Sequence, residues 1–144
     1  MNEVRLVLVG FGNVGRAFAR LLQRKSKLLA SEYSMEWSIT GIATGRHGMA
    51  IDPQGLDVDR AVALVESGKF LDVLNKGETP ADILGFIQAC PGDILFEISP
   101  VNYETGQPAI SHRQAALKKG MHAVTANKGP VVHAFNDLTQ LAQK

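Results

Sequence analysis

Two hydrophobic periods alternate along this chain. Val4 to Val9 is a short, β-branched and almost wholly apolar run, the pattern of a strand buried on both faces of a parallel sheet. From Asn13 onward, Val14, Ala17, Phe18, Leu21 and Leu22 recur at i, i+3, i+4, i+7 and i+8, while Arg16, Arg20, Gln23 and Arg24 fall outside that stripe. This spacing predicts an amphipathic helix ending near Leu29. Glu36 to Ala43 predicts a second strand, closed by the turn Thr44-Gly45-Arg46-His47-Gly48. Asp57 to Ser67 sets Val58, Ala61, Val62 and Val65 on one helical stripe with Gly68 as its stop, and Ala81 to Ala89, after Thr79-Pro80, predicts another helix. Asp93 to Ile98 predicts a third buried strand. Thr105-Gly106-Gln107-Pro108 opens a further helix, with Pro108 in its first turn, Lys118 and Lys119 in its last, and Gly120 beyond its end. Met121 to Ala126 predicts a fourth strand and His133 to Gln143 a last short helix.

Strands alternating with helices predict an α/β fold of Rossmann type, a mainly parallel sheet with helices on both faces. Four predicted strands fall short of the roughly six of a full dinucleotide-binding domain, so the chain is expected to be truncated relative to one. No repeat or low-complexity linker divides its 144 residues, which read as one domain. The 15 Lys and Arg against 14 Asp and Glu leave a net charge of +1, without the basic excess that nucleic acid or an anionic membrane would call for. The single cysteine, Cys90, can form neither an internal disulfide nor a Cys-based zinc cage, and the four histidines show no H-x-x-x-H spacing, so no metal site is expected. With no apolar run approaching the ~20 residues of a membrane span and no signal-peptide pattern at the N-terminus, the chain reads as cytoplasmic.

Chemistry enters at Gly10-Phe11-Gly12-Asn13-Val14-Gly15, a G-x-G-x-x-G placed directly between the first strand and the first helix. In that context Gly10 permits the tight turn, Gly12 lets backbone approach a pyrophosphate, and Gly15 lets the helix pack closely on the strand. A nicotinamide dinucleotide is the expected partner; the plainer reading is a turn that only packs a helix on a sheet. An acid at the end of the second strand would accept from the ribose 2′-OH of NAD, and none is present. Glu36 starts that strand instead of ending it. Arg46, with Thr44 and His47 beside it, stands at the correct edge to pair with a 2′-phosphate, which predicts NADP(H) in preference to NAD(H).

The stretch Glu97-Ile98-Ser99-Pro100-Val101-Asn102-Tyr103-Glu104-Thr105-Gly106-Gln107-Pro108-Ala109, followed by Ala116-Leu117 and His122-Ala123-Val124-Thr125-Ala126-Asn127-Lys128-Gly129-Pro130, resembles homoserine dehydrogenase. With the glycine turn, the resemblance runs nearly end to end, although Gly48 to Cys90 adds little beyond Asp52-Pro53 and Gly55-Leu56. It implies an oxidoreductase that interconverts L-homoserine and L-aspartate 4-semialdehyde with a nicotinamide cofactor, in threonine and methionine biosynthesis. It also implies that Lys128 of Thr125-Ala126-Asn127-Lys128 reaches the active site, binding substrate and stabilising the oxygen that gains charge. Asn127 would position that segment, and Ser99 and Pro100 would line the nicotinamide-ribose side of the cleft. The family's substrate-binding and dimer-forming region, with a further catalytic lysine and acidic residues, has no counterpart before Lys144. The isolated chain is therefore expected to bind cofactor but to turn over homoserine or aspartate 4-semialdehyde poorly unless that region is supplied.

Other residues carry weaker signals. A catalytic thiolate at Cys90 would need accessibility that its place before Pro91-Gly92 argues against. His112 reads as a surface or capping side chain, and His122 as packed or at a sheet edge. A free-standing nucleotide-binding module without chemistry, or the cofactor domain of a related enzyme such as aspartate dehydrogenase, stays open as an alternative. An apolar patch at the sheet's C-terminal edge would make the lone domain a homo-oligomer.

Overall fold

The apolar run near the N-terminus becomes the middle strand of the sheet. The computed structural model describes residues 2–99, 107–125 and 137–143. Its strands are β1 (Asn2–Val9), β2 (Met35–Ala43), β3 (Met49–Ile51), β4 (Ile94–Glu97) and β5 (His122–Thr125), in the order β3-β2-β1-β4-β5. All neighbours pair in parallel except β2 and β3. The helices are α1 (Asn13–Tyr33), α2 (Val58–Glu66), α3 (Ile83–Ala89) and α4 (Ala109–Lys118), with a 3-10 turn at Leu71–Leu74 and a helical segment at 137–142.

Because side chains alternate along a strand, β1 serves two cores. Leu6 and Leu8 pack with Ala19 of α1 and Ala61, Val62 and Val65 of α2. Val7 and Val9 pack on the other face with Phe86 and Ile87 of α3 and Ala116 of α4. Every residue from Leu6 to Val9 is buried, which is why that run carries no polar side chain.

Several expectations need correction. A fifth strand, β3, was absent from the periodicity because three residues are too few to show a period; the turn at 44–48 is a hairpin that brings it antiparallel onto β2. The stripe expected on α1 is rotated: Val14 and Leu21 are 60% and 41% exposed, and the buried positions are Gly15 and Ala19, with Phe18 and Leu22 partly buried. Close packing of Gly15 sets that rotation, since a Cβ there would lie 3.0 Å from the Gly10 carbonyl oxygen. α1 also runs on past Leu29 to Tyr33, ended by Ser34 in the left-handed region. α3 begins at Ile83, where Asp82 accepts from the Gly85 N–H at 2.7 Å, and α4 begins at Ala109 with Pro108 as its cap. Of the last predicted helix, residues 133–136 lie outside the described residues, as does Ala126 of the fourth predicted strand.

Candidate functional site

Strand pairing lines up one row across the C-terminal edge of the sheet. Ala43 of β2 pairs with Val9 of β1, Val9 with Glu97 of β4, and Glu97 with Thr125 of β5. The segments that leave this row are those the sequence singles out: Thr44 after Ala43, Gly10 after Val9, Ile98-Ser99 after Glu97. The chain passes from β1 to β2 on one side and returns to β4 on the other, so the β1/β4 boundary is the switch point of the topology, and open α/β sheets bind ligands in the crevice outside the strand ends at such a point.

The three glycines of the turn answer to different demands. Gly10 has φ +101°, and a Cβ on it would lie 2.5 Å from the carbonyl oxygen of Ile98. Gly15 is pressed on Gly10 and on the Ile98 side chain. Gly12, at φ −78°, has a conformation open to any residue and nothing within 4 Å of where a Cβ would stand. The fold therefore requires glycine at 10 and 15 and makes no such demand at 12.

The helix that follows is also bare at its start. α2 and α3 are capped by aspartates, Asp57 accepting from the Arg60 N–H at 3.2 Å and Asp82 from that of Gly85. α1 has Gly12 at the cap, no side-chain cap bond and no acid in its first turn. Its leading N–H groups keep the positive end of the helix dipole open to an anion. Arg16 steadies the turn, donating to the Phe11 carbonyl at 3.3 Å and to Asn13 Oδ1 at 2.9 Å. The Phe11 side chain is buried in the core, so only its backbone borders the crevice; Val14 is exposed beside it.

On the β2 side, the Gly10 N–H donates to the Ala43 carbonyl at 2.8 Å, which ties the glycine turn to the hairpin at 44–48. Thr44 Oγ1 donates to the Gly48 carbonyl at 2.7 Å and accepts from the His47 N–H at 2.7 Å, so this hydroxyl shapes the turn. Arg46 is exposed and, among the described residues, has no ion-pair partner. Glu36 stands seven residues before Ala43 along β2, roughly 23 Å away at the rise of a strand.

On the β4 side lies a feature that sequence reasoning misplaced. Glu97 is fully buried, and its Oε1 accepts from the backbone N–H of Ser99 at 2.9 Å and from the Ser99 hydroxyl. Its Oε2 meets Nδ1 of His112 at 2.7 Å. His112 is 4% exposed, which corrects the expected surface or capping role: the imidazole points from α4 into the sheet because a buried carboxylate awaits it. Cys90 is likewise fully buried, and burial pushes its thiol up to about 11, so no thiolate nucleophile is available near neutral pH. His122 is exposed on edge strand β5, and no metal-holding cluster occurs among the described residues.

No protein-family model matches the chain. Over 140 residues, 96% of its length, it is 36% identical to the homoserine dehydrogenase of Methanocaldococcus jannaschii. Over 143 residues, 99% of its length, it is 34% identical to the NAD(+)-dependent homoserine dehydrogenase of Pseudomonas canavaninivorans. The chain is a homologue of the homoserine dehydrogenases. It spans 41% of the length of each of these two relatives. A hyperthermophilic archaeal homoserine dehydrogenase mutant, solved in complex with NADPH, superposes with a TM-score of 0.77 at 26% identity, covering 99% of this chain and 41% of that one. The Thermoplasma acidophilum homoserine dehydrogenase, at 24% identity and a TM-score of 0.76 over 99% of this chain and 40% of that one, shares the fold.

In this homoserine dehydrogenase homologue, then, the structure gathers Gly10, Gly12, Asn13, Val14, Gly15, Thr44, Arg46 and Ser99 at one edge of the sheet. Pro100, Asn127 and Lys128 lie outside the described residues. Glu97 and His112 were legible as a conflict between local pattern and residue type: an acid closing an apolar strand, and a histidine on a helix between Ile110 and Ala116. No helix among the described residues is long and apolar enough to cross a membrane.

Proposed function

We propose that residues 1–144 are the nicotinamide-dinucleotide-binding domain of a homoserine dehydrogenase that interconverts L-homoserine and L-aspartate 4-semialdehyde, a cytoplasmic step toward threonine and methionine. The observation that carries this reading is Gly12. A backbone left bare where no neighbour requires it suits a ligand that must approach more closely than a side chain permits. The uncapped start of α1 offers that ligand N–H donors and a positive dipole end, the ordinary receptor for a pyrophosphate. The relatives support a nicotinamide dinucleotide, one being solved with NADPH and another named as NAD(+)-dependent.

In this reading Gly10, Phe11, Gly12, Asn13, Val14 and Gly15 cradle the pyrophosphate. Thr44 and Arg46 favour NADP(H) over NAD(H), Arg46 supplying a guanidinium with no competing partner among the described residues. Ser99 and Pro100 border the nicotinamide ribose. When bound, the nicotinamide ring supplies or accepts the hydride. Lys128 binds the substrate and stabilises its charged oxygen, and Asn127 positions that segment. Because the match covers 41% of the relatives' length, turnover is assigned to the whole enzyme, and this chain alone is expected to bind cofactor without robust homoserine oxidation. Self-association of the chain through an apolar patch at the sheet's C-terminal edge belongs to the same reading. Sedimentation as a monomer across a wide concentration range would reject that last point.

The test of the cofactor reading is a fluorescence titration of the purified chain with NADPH and NADH, repeated on Gly12→Ala. Tighter binding of NADPH, weakened at least tenfold in the variant, is the expected result. Binding of neither nucleotide would refute the proposal.

A further inference from the structure

The Glu97 side chain stands out because a fully buried carboxyl group is an expensive way to attach a helix. Apolar side chains of similar size would hold α4 on the sheet at least as well, as Ala116 and Met121 already do on the same face. What an apolar residue could not do is accept two hydrogen bonds from Ser99. Those two bonds, from the backbone N–H and the hydroxyl, occupy Oε1, while Oε2 is held by the imidazole of His112. Oε1 thus accepts twice from one residue, and Oε2 shares a hydrogen bond with the imidazole. The backbone carbonyl of the same residue accepts from Thr125 Oγ1 at 3.1 Å. Glu97 thus holds Ser99 just beyond β4 and Thr125 at the end of β5, and Thr125 stands three residues before Lys128 in the sequence.

We propose that Glu97 and His112 are positioning residues of the dinucleotide site, the imidazole on α4 locking the carboxylate so that it fixes Ser99 on the nicotinamide side of the crevice. The proposal rests on the cofactor reading above. Neither residue touches the ligand. His112 acts through Glu97 and Glu97 acts through Ser99, so loosening either displaces the β4 exit while leaving the glycine turn and the 44–48 hairpin as they are. Those two features are held independently, by the Gly10 contact with Ala43 and by the Thr44 turn bonds.

That independence supplies the test. The full chain and its Glu97→Leu and His112→Leu variants are titrated with NADPH, and with 2′,5′-ADP, which engages the adenosine end alone; 5′-ADP replaces it if NADH is the tighter cofactor. Both variants are expected to bind the whole cofactor about tenfold or more weakly and the adenosine fragment within twofold of the parent. His112→Gln, which keeps a donor facing the carboxylate, should recover most of the loss. In the same samples, amide exchange at Ser99 should quicken while that of Val7 and Leu95 does not. Equal weakening of both ligands, weakening of neither, or unchanged exchange at Ser99 would overturn the proposal. Should either leucine variant fail to fold, the other decides by the same criteria. A parent chain that binds neither nucleotide removes the cofactor reading itself and the proposal with it, an outcome distinct from any result confined to the variants.

Discussion

A Cβ on Gly10 would lie 2.5 Å from the carbonyl oxygen of Ile98, so the turn that ends β1 and the segment that leaves β4 meet backbone to backbone. The crevice floor is built from main chain because no side chain fits between them. Gly10→Ala would force both that contact and φ +101° on an L-residue, and a loss of about 2–4 kcal/mol in folding stability is expected, read by urea unfolding.

Gly12→Ala should behave in the opposite way. Open space and φ −78° predict a change within about 0.5 kcal/mol in stability, together with weakened NADPH binding. A melting temperature that falls as far as that of Gly10→Ala would show that Gly12 serves the fold.

Arg46→Ala removes an exposed guanidinium from the hairpin beside the glycine turn. Loss of one charge-assisted contact with a 2′-phosphate should weaken NADPH binding by roughly tenfold to a hundredfold and leave NADH binding unchanged. Parallel weakening of both nucleotides would remove Arg46 from cofactor selection.

Arg5 and Asp93 form a two-pronged pair at the opposite end of the sheet, with Nε and Nη2 of Arg5 at 3.2 and 3.1 Å from the carboxylate oxygens. Hydrogen bonds from Arg5 hold the Asp93 carboxyl below its ordinary value of 3.8, against the opposing effect of burial. A depressed carboxyl pKa stabilises the fold above the unfolded value and ceases to do so as pH falls through the folded one. Stability should therefore decline with acid from about pH 4 downward, and Asp93→Asn should flatten that limb, measured by thermal melts between pH 2 and 6. Both side chains are two-fifths or more exposed, so the effect is expected to be small.

Cys90 should resist alkylation by iodoacetamide at pH 7.5 in the native state and react on unfolding, because its thiol is buried and pushed up to about 11. The sign for stability follows from the same displacement. A raised thiol pKa favours the folded state through the protonated form, and that contribution is lost as pH rises from about 9 toward about 11. Cys90→Ser should reduce this alkaline loss. Rapid labelling of the native chain would reject the burial.

Much of this protein could be read from the chain alone. The alternation of strand and helix, the buried run at Val4 to Val9 and the position of the glycine turn follow from local periodicity and from residues whose backbone preferences are strong. The edge at which Thr44, Arg46 and Ser99 gather was legible too, since parallel strands share one direction and their exits share one side. Tertiary contacts decided the rest. The rotation of α1 depends on what Gly15 presses against, and the pairing of β3 on a hairpin too short to carry a period. The meeting of Glu97 with His112 joins residues fifteen apart on a strand and a helix. Its physical reason is that a carboxylate in an apolar strand is tolerated only where the folded chain brings donors to it, and which donors arrive is settled by how α4 docks on the sheet.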